Sequence, residues 1–217
     1  MTFRVLLLAD SRARGLTHRI QAELIAQGII NISFSILFYP GATITQTVQR
    51  AFVKLTQRRP YDLIYISTGV NNLTSLLRPH CVVPTFENAT TLVSTLMGDY
   101  IWAKYALTPH ANRIIICELI GMSIATYNTD GEAFPEEQTI INNGILSLNP
   151  LIRGLNALQD LTTPHFEQHV HKVRHGRFGH RYSGTLTDGI HYNDSTKDKF
   201  ARNLVYTIVY NIHATCN

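Results

Sequence analysis

The sequence predicts an α/β domain in which a five-stranded, mainly parallel sheet lies between two layers of helices. Short apolar stretches typical of buried strands alternate with stretches in which apolar residues recur at helical spacing. Of the 217 residues, 45% are hydrophobic and 16% are charged, which is enough for one complete core. No internal repeat, low-complexity tract or linker interrupts the sequence. We therefore predict a single domain over residues 1–217.

The first predicted strand and helix meet at an acid followed by a serine. Residues 5–9 form a continuous apolar run, and Asp10 and Ser11 follow it directly. Apolar residues then return at helical spacing, and Gly28 is a natural helix stop. Ser11 is thus predicted to lie on the turn from strand to helix, where the free N–H groups of the new helix favour negative charge. Simple helix capping by Asp10 and Ser11 is the alternative interpretation.

The second and third predicted strands are each followed by a turn with a candidate functional residue. Residues 29–38 alternate and then run apolar, and residues 61–68 are almost continuously apolar. Gly41 follows the second strand and Asn71 the third. Because ligands bind outside the carboxyl ends of parallel strands, Ser11, Gly41 and Asn71 are expected at one edge of the sheet. Thr43 and Thr45 are predicted to cap the helix between these two strands, and its inner face is predicted to consist of Val48, Phe52 and Leu55.

The second half of the chain is predicted to add two strands and three helices. The strands cover residues 112–119 and 166–173, and the helices cover residues 86–106, 136–158 and 195–213. Because proline inside a helix costs about 3 kcal/mol, we expect a kink or break near Gly144 and Pro150.

Two of these helices have a predicted inner face, and the last also has a predicted cap. Ser195 and Asp198 have the spacing of a capping box before the last helix. The inward residues are predicted to be Phe86, Val93, Met97 and Tyr100 in the earlier helix and Phe200, Leu204, Ile208 and Ile212 in the last one.

Composition and cysteine usage narrow the class of protein. The net charge of +4 is compatible with a polyanionic partner without requiring one. Cys81, Cys117 and Cys216 are widely spaced and odd in number, which fits a reducing compartment better than a disulfide framework. The sequence has no apolar stretch long enough to cross a membrane, and its N-terminus lacks the pattern of a signal peptide. We expect an intracellular protein.

An acid and a histidine near the C-terminus complete the set of groups that a serine hydrolase needs. Asp188 and His191 are three residues apart, so a short turn can place both side chains on the same side. His191 would take the proton of Ser11, and Asp188 would hold the imidazole tautomer and stabilise its charged form. The N–H groups of Ser11 and Gly41 and the side-chain amide of Asn71 would form the oxyanion hole.

In these residues the sequence resembles the SGNH hydrolase superfamily, also called the GDSL lipase/esterase family. Four blocks follow the family's order across nearly the whole chain: residues 9–11, Gly41, residues 69–72, and the pair Asp188 and His191. The resemblance implies a flavodoxin-like, three-layer α/β/α fold. It also implies hydrolysis of oxygen esters through an acyl-enzyme.

Two positions depart from the family's usual pattern without removing a catalytic group. Ala9 stands where glycine is usual, and Asn72 follows Asn71 where aspartate is frequent. The Gly-x-Asn-Asn form is similar to that of platelet-activating-factor acetylhydrolase catalytic subunits, and the chain is similar in general character to esterase domains of some animal retrotransposons. Asp10 and Asn72 are predicted to be structural residues near the site, with a plain helix cap as the alternative for Asp10.

Other functions are compatible with parts of the sequence. A retired hydrolase fold acting as a binding module is the first, but every member of the Ser-His-Asp set is present. Residues 165–181 mix basic residues, histidines and two aromatics, so non-catalytic binding of RNA or another polyanion is the alternative function. No cysteine or carboxylate completes a ligand set at zinc-like spacing in this segment, so we predict no metal and no cofactor. The histidines concerned are His169, His171, His175 and His180.

The loops after the strands are expected to determine which ester is bound. Residues 78–84, predicted to be an irregular insertion, and residues 127–135, predicted to be a loop, would line or cover the site. A narrow pocket would favour acetyl esters, whereas an open apolar groove with Tyr100, Trp102 or Phe134 would favour longer acyl chains or lipids. A further hypothesis is that arginine and histidine near the site bind a phosphate or carboxylate on the alcohol side.

Overall fold

The computed structural model describes residues 2–57, 59–128, 134–166, 171–174, 177–180 and 185–213. In this part of the chain the strands are β1 (Phe3–Ala9), β2 (Ile32–Phe38), β3 (Tyr61–Ser67), β4 (Thr74–Arg78), β5 (Cys81–Pro84), β6 (Ala111–Ile116), β7 (His171–Arg174) and β8 (Arg177–His180). The helices are α1 (Leu16–Ala26), α2 (Ile44–Leu55), α3 (Ala89–Leu107), α4 (Ile124–Tyr127), α5 (Pro135–Ala157) and α6 (Asp194–His213). Short 3₁₀ turns cover Ser11–Ala13, Val70–Asn72 and Thr108–His110.

The central sheet is parallel, and in the described residues it contains four strands in the order β2-β1-β3-β6. The register pairs Ala9 with Phe38 of β2 and with Ser67 of β3, so the carboxyl ends of these strands are level. Residues that directly follow the three strands therefore lie along one edge of the sheet. The predicted α/β architecture with a mainly parallel sheet is confirmed.

The predicted fifth strand at residues 166–173 does not join this sheet in the part of the chain that is described. Phe166 is fully buried and stacks on Phe200 of α6, with ring centroids 3.9 Å apart. Residues 171–174 pair antiparallel with β8 in a separate hairpin. The apolar signal at Phe166 thus comes from packing against a helix. Residues 167–170 lie outside the described residues.

Both faces of β1 are buried because helices cover the sheet on two sides. Leu6 and Leu8 pack with α2, α3 and α5 on one face. Val5 and Leu7 pack with α1 and α6 on the other. Burial on both faces explains why this strand is continuously apolar instead of alternating. The predicted inner face of α6 is confirmed, since Phe200, Leu204, Ile208 and Ile212 are all buried.

The two long helices α3 and α5 differ from the prediction. α5 is continuous although Pro150 lies inside it, so a break is wrong, whereas the alternative of a kink stays a prediction. Gly144 instead allows α5 to pack closely on α3, because a Cβ atom at this position would approach the side chain of Leu92 to 2.7 Å. The buried face of α3 is rotated from the predicted one and consists of Leu92, Leu96, Tyr100, Ala103 and Leu107.

Two local predictions before α3 and α6 are also corrected. Residues 78–84 are not irregular, because β4 and β5 form an antiparallel hairpin there. The cap of α6 is Asn193 instead of Ser195, since the Asn193 side chain accepts the N–H of Thr196 at 2.9 Å. The hairpin is held against the chain after α4 by Asn128, which bonds to both the N–H and the carbonyl of Val82.

Cys81 and Cys117 are buried, and Cys216 lies outside the described residues. Of the helices within the described ranges, none combines the length and the apolar character needed to cross a membrane.

Candidate active site

Ser11 lies on the turn between β1 and α1, where the sequence predicts it. Asp10 caps the 3₁₀ turn that begins at Ser11, and its carboxylate accepts the N–H of Arg12 at 3.0 Å. Asp10 is buried, and burial raises the pKa of its carboxyl group. The charge of Arg12 and hydrogen bonds from the N–H groups of Arg12 and Val70 oppose this shift. Asp10 therefore makes the contacts of a residue that fixes the turn.

The loop before α6 places an imidazole and a carboxylate next to Ser11. The Oγ atom of Ser11 lies 3.0 Å from Nε2 of His191, although the two residues are 180 positions apart. Nδ1 of His191 lies 2.7 Å from Oδ2 of Asp188. Oδ1 of Asp188 accepts the N–H of Ile190 at 3.1 Å and the N–H of His191 at 2.8 Å. Ser11, His191 and Asp188 thus form a continuous hydrogen-bonded chain.

The conformation of this loop depends on Gly189. Its φ angle is 85°, and a Cβ atom there would collide with the carbonyl of Ser123. The Gly189 carbonyl accepts the N–H of Ser123 at 2.8 Å, and the N–H of Thr187 donates to the His191 carbonyl at 2.7 Å. The glycine between Asp188 and His191 is thus required for a turn that brings both side chains to one side.

Asp188 is held in its ionised form by its surroundings. Partial burial acts to raise the pKa of its carboxyl group, but hydrogen bonds from the N–H and ring of His191 and from the N–H of Ile190 outweigh this effect. The pKa of Asp188 is consequently below its ordinary value. An ionised carboxylate in this position can stabilise a protonated imidazole.

The two other predicted site residues follow β2 and β3 at the same edge of the sheet. Gly41 has a φ angle of 72°, and within the described residues its N–H makes no hydrogen bond. The side-chain amide of Asn71 donates to the Ala42 carbonyl at 3.1 Å. Since an amide side chain has two N–H groups, the second remains uncommitted in the described part of the chain. The N–H of Tyr39 bonds to the Ala9 carbonyl at 2.9 Å and ties the turn after β2 to the end of β1.

Asn72, next to Asn71, makes contacts with two helices. Its Oδ1 accepts the N–H of Ile44, the first residue of α2, at 3.0 Å. Its Nδ2 donates to Oδ2 of Asp99 in α3 at 2.9 Å. Asn72 therefore joins the turn after β3 to α2 and α3, which are contacts of a structural residue.

Arg12 is a buried residue of the site that the sequence analysis did not single out. Its guanidinium group donates to the backbone carbonyls of residues 120, 121 and 190, the last two at 2.8 and 3.0 Å. Arg12 thereby joins the turn after β1 to the loop before α6. The only signal in the sequence is that an arginine directly follows Ser11. Because charged residues are rarely buried, such an arginine is normally expected to face solvent.

We expect Arg12→Met to lower the free energy of unfolding by about 3 kcal/mol, because three buried carbonyl groups would lose a charged donor. Urea denaturation measures this change. Arg19→Met is the matched control, since Arg19 pairs with Asp194 and Asp198 near the surface, and exposed pairs contribute about 0–1 kcal/mol. A loss for Arg12→Met no larger than that of the control would contradict the assigned role.

A cavity of about 190 Å³ opens beside Ser11 and His191. Ligand pockets typically measure about 300–1,000 Å³, so this space fits only a small part of a substrate. A hydroxyl group whose proton can pass to a neutral imidazole is suited to nucleophilic attack on a carbonyl carbon. The cavity is lined by Ser11, Arg12, Arg14, Thr187, Asp188, His191, Tyr192 and Lys197.

The residues that would line an open apolar groove do not line this cavity. Tyr100 is fully buried, as predicted for the inner face of its helix, and its hydroxyl group donates to the Thr68 carbonyl at 2.6 Å, so it does not line a groove. Phe134 lines a different depression, and Trp102 lies on α3 outside the lining of the cavity. Among the described members of residues 78–84 and 127–135, none lines the cavity; residues 129–133 are outside the described residues.

The histidine-rich segment 165–181 is described only in part. The side chains of His169, His171, His175 and His180 are outside what is described. Polyanion binding by this segment therefore stays a prediction. Among the described residues, no group of three or more His, Cys, Asp or Glu side chains is placed to hold a metal ion.

Solved structures of lipases and esterases share this fold. A member of the lipolytic G-D-S-L family from Veillonella parvula matches with a TM-score of 0.63 at 13% identity, over 96% of this chain and 99% of that one. The lipase/acylhydrolase from Enterococcus faecalis gives 0.61 at 14% identity, over 95% of each chain. Axe2, an acetylxylan esterase from Geobacillus stearothermophilus, gives 0.59 at 12% identity, over 95% of this chain and 94% of that one.

The resemblance to SGNH hydrolases is thereby confirmed at the level of the fold. None of the protein-family models and none of the curated proteins compared with the chain matches it. The resemblances to platelet-activating-factor acetylhydrolases and to retrotransposon esterase domains stay predictions.

Proposed function

We propose that this protein is a serine esterase that hydrolyses carboxylic esters with acetyl or longer acyl groups through an acyl-enzyme on Ser11. The observation that carries the proposal is the 3.0 Å contact between Ser11 Oγ and His191 Nε2. The fold supports it, because it is shared with GDSL-family lipases, acylhydrolases and an acetylxylan esterase. The substrate would be a small-molecule or lipid ester.

In the first half of the proposed reaction, His191 Nε2 accepts the proton of Ser11 as Oγ attacks the ester carbonyl carbon. The bond to the alcohol oxygen then breaks, and the imidazolium returns the proton to that oxygen. Asp188, 2.7 Å from Nδ1 of His191, orients the ring and stabilises its charge. In the second half, water attacks the acyl-enzyme with the same proton transfers, which releases the acid and restores Ser11.

The carbonyl oxygen becomes negatively charged in both halves, and we assign its stabilisation to three donors. These are the N–H groups of Ser11 and Gly41 and the uncommitted N–H of the Asn71 side chain. Two observations support this assignment. The strands β1, β2 and β3 end at the same level, and the hydrogen bond from Asn71 to the Ala42 carbonyl links the turn after β3 to the turn after β2. Donors that are already positioned stabilise the transition state without reorganisation.

Labelling with a fluorophosphonate, which reacts with activated serines, tests the proposal. We expect one adduct per chain on the peptide that contains Ser11, and parallel loss of p-nitrophenyl acetate hydrolysis. Heat-denatured protein is the control and should stay unlabelled, because the reactivity of the hydroxyl group depends on its contact with His191. A folded protein that forms no adduct, or forms it on another residue, would contradict the proposal. A series of p-nitrophenyl esters of increasing acyl length then measures the preferred acyl group.

The neighbouring residues Asn71 and Asn72 are expected to give opposite results when each is replaced by alanine. Asn71→Ala should reduce kcat by about 100- to 1,000-fold, the usual effect of removing one oxyanion donor. Asn72→Ala should mainly lower the midpoint of urea denaturation, because it removes bonds to Ile44 and Asp99. Steady-state kinetics and denaturation of both variants check this. Equal losses of kcat in the two variants would contradict the assignment of Asn71.

A further inference from the structure

The cavity beside Ser11 contains more positive charge than hydrolysis of a neutral ester requires. Arg12, Arg14 and Lys197 line it, and among its described lining residues Asp188 is the only carboxylate. Asp188 is already engaged by His191. The cavity therefore has a local excess of cationic side chains.

These three cations differ in how far they are engaged by other groups. Arg12 is buried and donates to backbone carbonyls. Arg14 is exposed and, among the described residues, makes neither a hydrogen bond through its side chain nor an ion pair. Lys197 lies 3.5 Å from Asp194, whose carboxylate also contacts Arg19 at 2.9 Å. Arg14 is thus available to an anion, and Lys197 shares its carboxylate with a second cation.

The helix α1 begins directly after Arg14 in the chain. The N-cap residue is Gly15, directly after Arg14, and it offers no side-chain cap. The first turn of α1 also contains no acidic residue. Uncapped N–H groups at a helix start carry partial positive charge. The field next to Arg14 therefore favours a bound anion.

The position of the cavity indicates which part of an ester would meet these cations. The cavity is lined by His191 and its neighbours, whereas Gly41 and Asn71 are not among the lining residues. The leaving alcohol must face the imidazole, because His191 returns the proton to its oxygen. The cations are consequently on the alcohol side of the site.

We propose that Arg14, assisted by Lys197, binds a phosphate or carboxylate group on the alcohol part of the substrate, so that the esters hydrolysed are acylated anionic alcohols. This inference rests on the proposed esterase function of Ser11. Arg14 would thereby determine specificity for anionic alcohols. Its planar guanidinium group can bind a phosphate as well as a carboxylate.

Matched aryl acetates test the proposal. The anionic probes are 4-acetoxybenzoate and 4-acetoxyphenyl phosphate, which distinguish the two anions, and the neutral reference is 4-acetoxybenzamide. We expect kcat/KM for at least one anionic probe to exceed the neutral value, and Arg14→Gln to reduce that preference by about 10-fold. Added salt should weaken the preference because it screens exposed charges.

Arg202→Gln is the matched control for net charge. Arg202 is exposed on α6 and lines a separate depression with Lys199, Asn203 and Tyr206. Its replacement should leave the preference for the anionic probe as it is in the wild type. A preference that Arg14→Gln leaves intact, or a wild type that favours the neutral probe, would overturn the inference while leaving the esterase proposal standing.

Direct binding of phenyl phosphate and of benzoate separates the two proposals. Calorimetry is performed on Ser11→Ala and on the double variant Ser11→Ala/Arg14→Gln. Binding that disappears in the double variant supports the anion site even if the wild type hydrolyses no ester, in which case only the esterase proposal fails. Equal binding of these anions by both proteins, or no binding of either anion by either protein, overturns the anion site.

Discussion

Replacing Ser11 with alanine should reduce hydrolysis of a short p-nitrophenyl ester by at least roughly 1,000-fold, the scale expected when a serine nucleophile is removed. The change removes only the Oγ atom that lies 3.0 Å from His191 Nε2. The capping contact of Asp10 with the N–H of Arg12 does not involve this atom. The fold should therefore be retained, as checked by circular dichroism and urea denaturation.

Ser94→Ala is the matched serine control. Ser94 is exposed on α3, and its hydroxyl group contacts only the carbonyl of Thr91 among the described residues. Wild-type turnover is expected for this variant. Hydrolysis by Ser11→Ala at the wild-type rate would show that another group is the nucleophile and would remove the basis of the proposed function.

The second large effect is expected for Asp188→Asn, with kcat reduced by about 1,000-fold or more. Asparagine is nearly isosteric, and its Oδ1 can still accept the N–H groups of Ile190 and His191. Its Nδ2, however, is a donor and would face Nδ1 of His191. The ring would then carry its proton on Nε2, where it must accept a proton from Ser11.

Steady-state kinetics and urea denaturation together check this prediction. A low kcat in a variant that still unfolds cooperatively in urea would support a change of tautomer as the cause. Recovery of wild-type kcat in Asp188→Glu would show that the carboxylate itself is needed. Wild-type kcat in Asp188→Asn would contradict the role assigned to this carboxylate.

Asp188 should also contribute to the pH dependence of stability. Its pKa is lower in the folded protein than in the unfolded chain, so the ionised form stabilises the fold above the unfolded value of about 3.9. This stabilisation is lost as the pH falls through the folded pKa. We therefore expect the free energy of unfolding to fall more steeply below about pH 4 in the wild type than in Asp188→Asn. Parallel slopes in the two proteins would contradict this expectation.

Much of the architecture could be predicted because each signal is local. The apolar run before Asp10 marked a strand buried on both faces, and Phe200, Leu204, Ile208 and Ile212 marked the inner face of α6. Phe166 misled for the same reason, because burial in a sheet and burial under a helix leave the same apolar residue in the sequence. Pro150 led to the expectation of a possible break that the structure does not show. The helix α5 packs against α3 and stays continuous although the local propensity of proline opposes it.

The amino-acid sequence determined which residues carry the candidate chemistry and after which strands they stand, because hydrophobic periodicity and glycine punctuation are properties of neighbouring residues. Only the tertiary structure decided that Ser11 and His191 meet across 180 positions, that Arg12 is buried against backbone carbonyls, and that Arg14 next to it is exposed. Contacts of this kind depend on how helices and loops pack around the sheet, and two arginines with equal local character give no sign of which one that packing will bury.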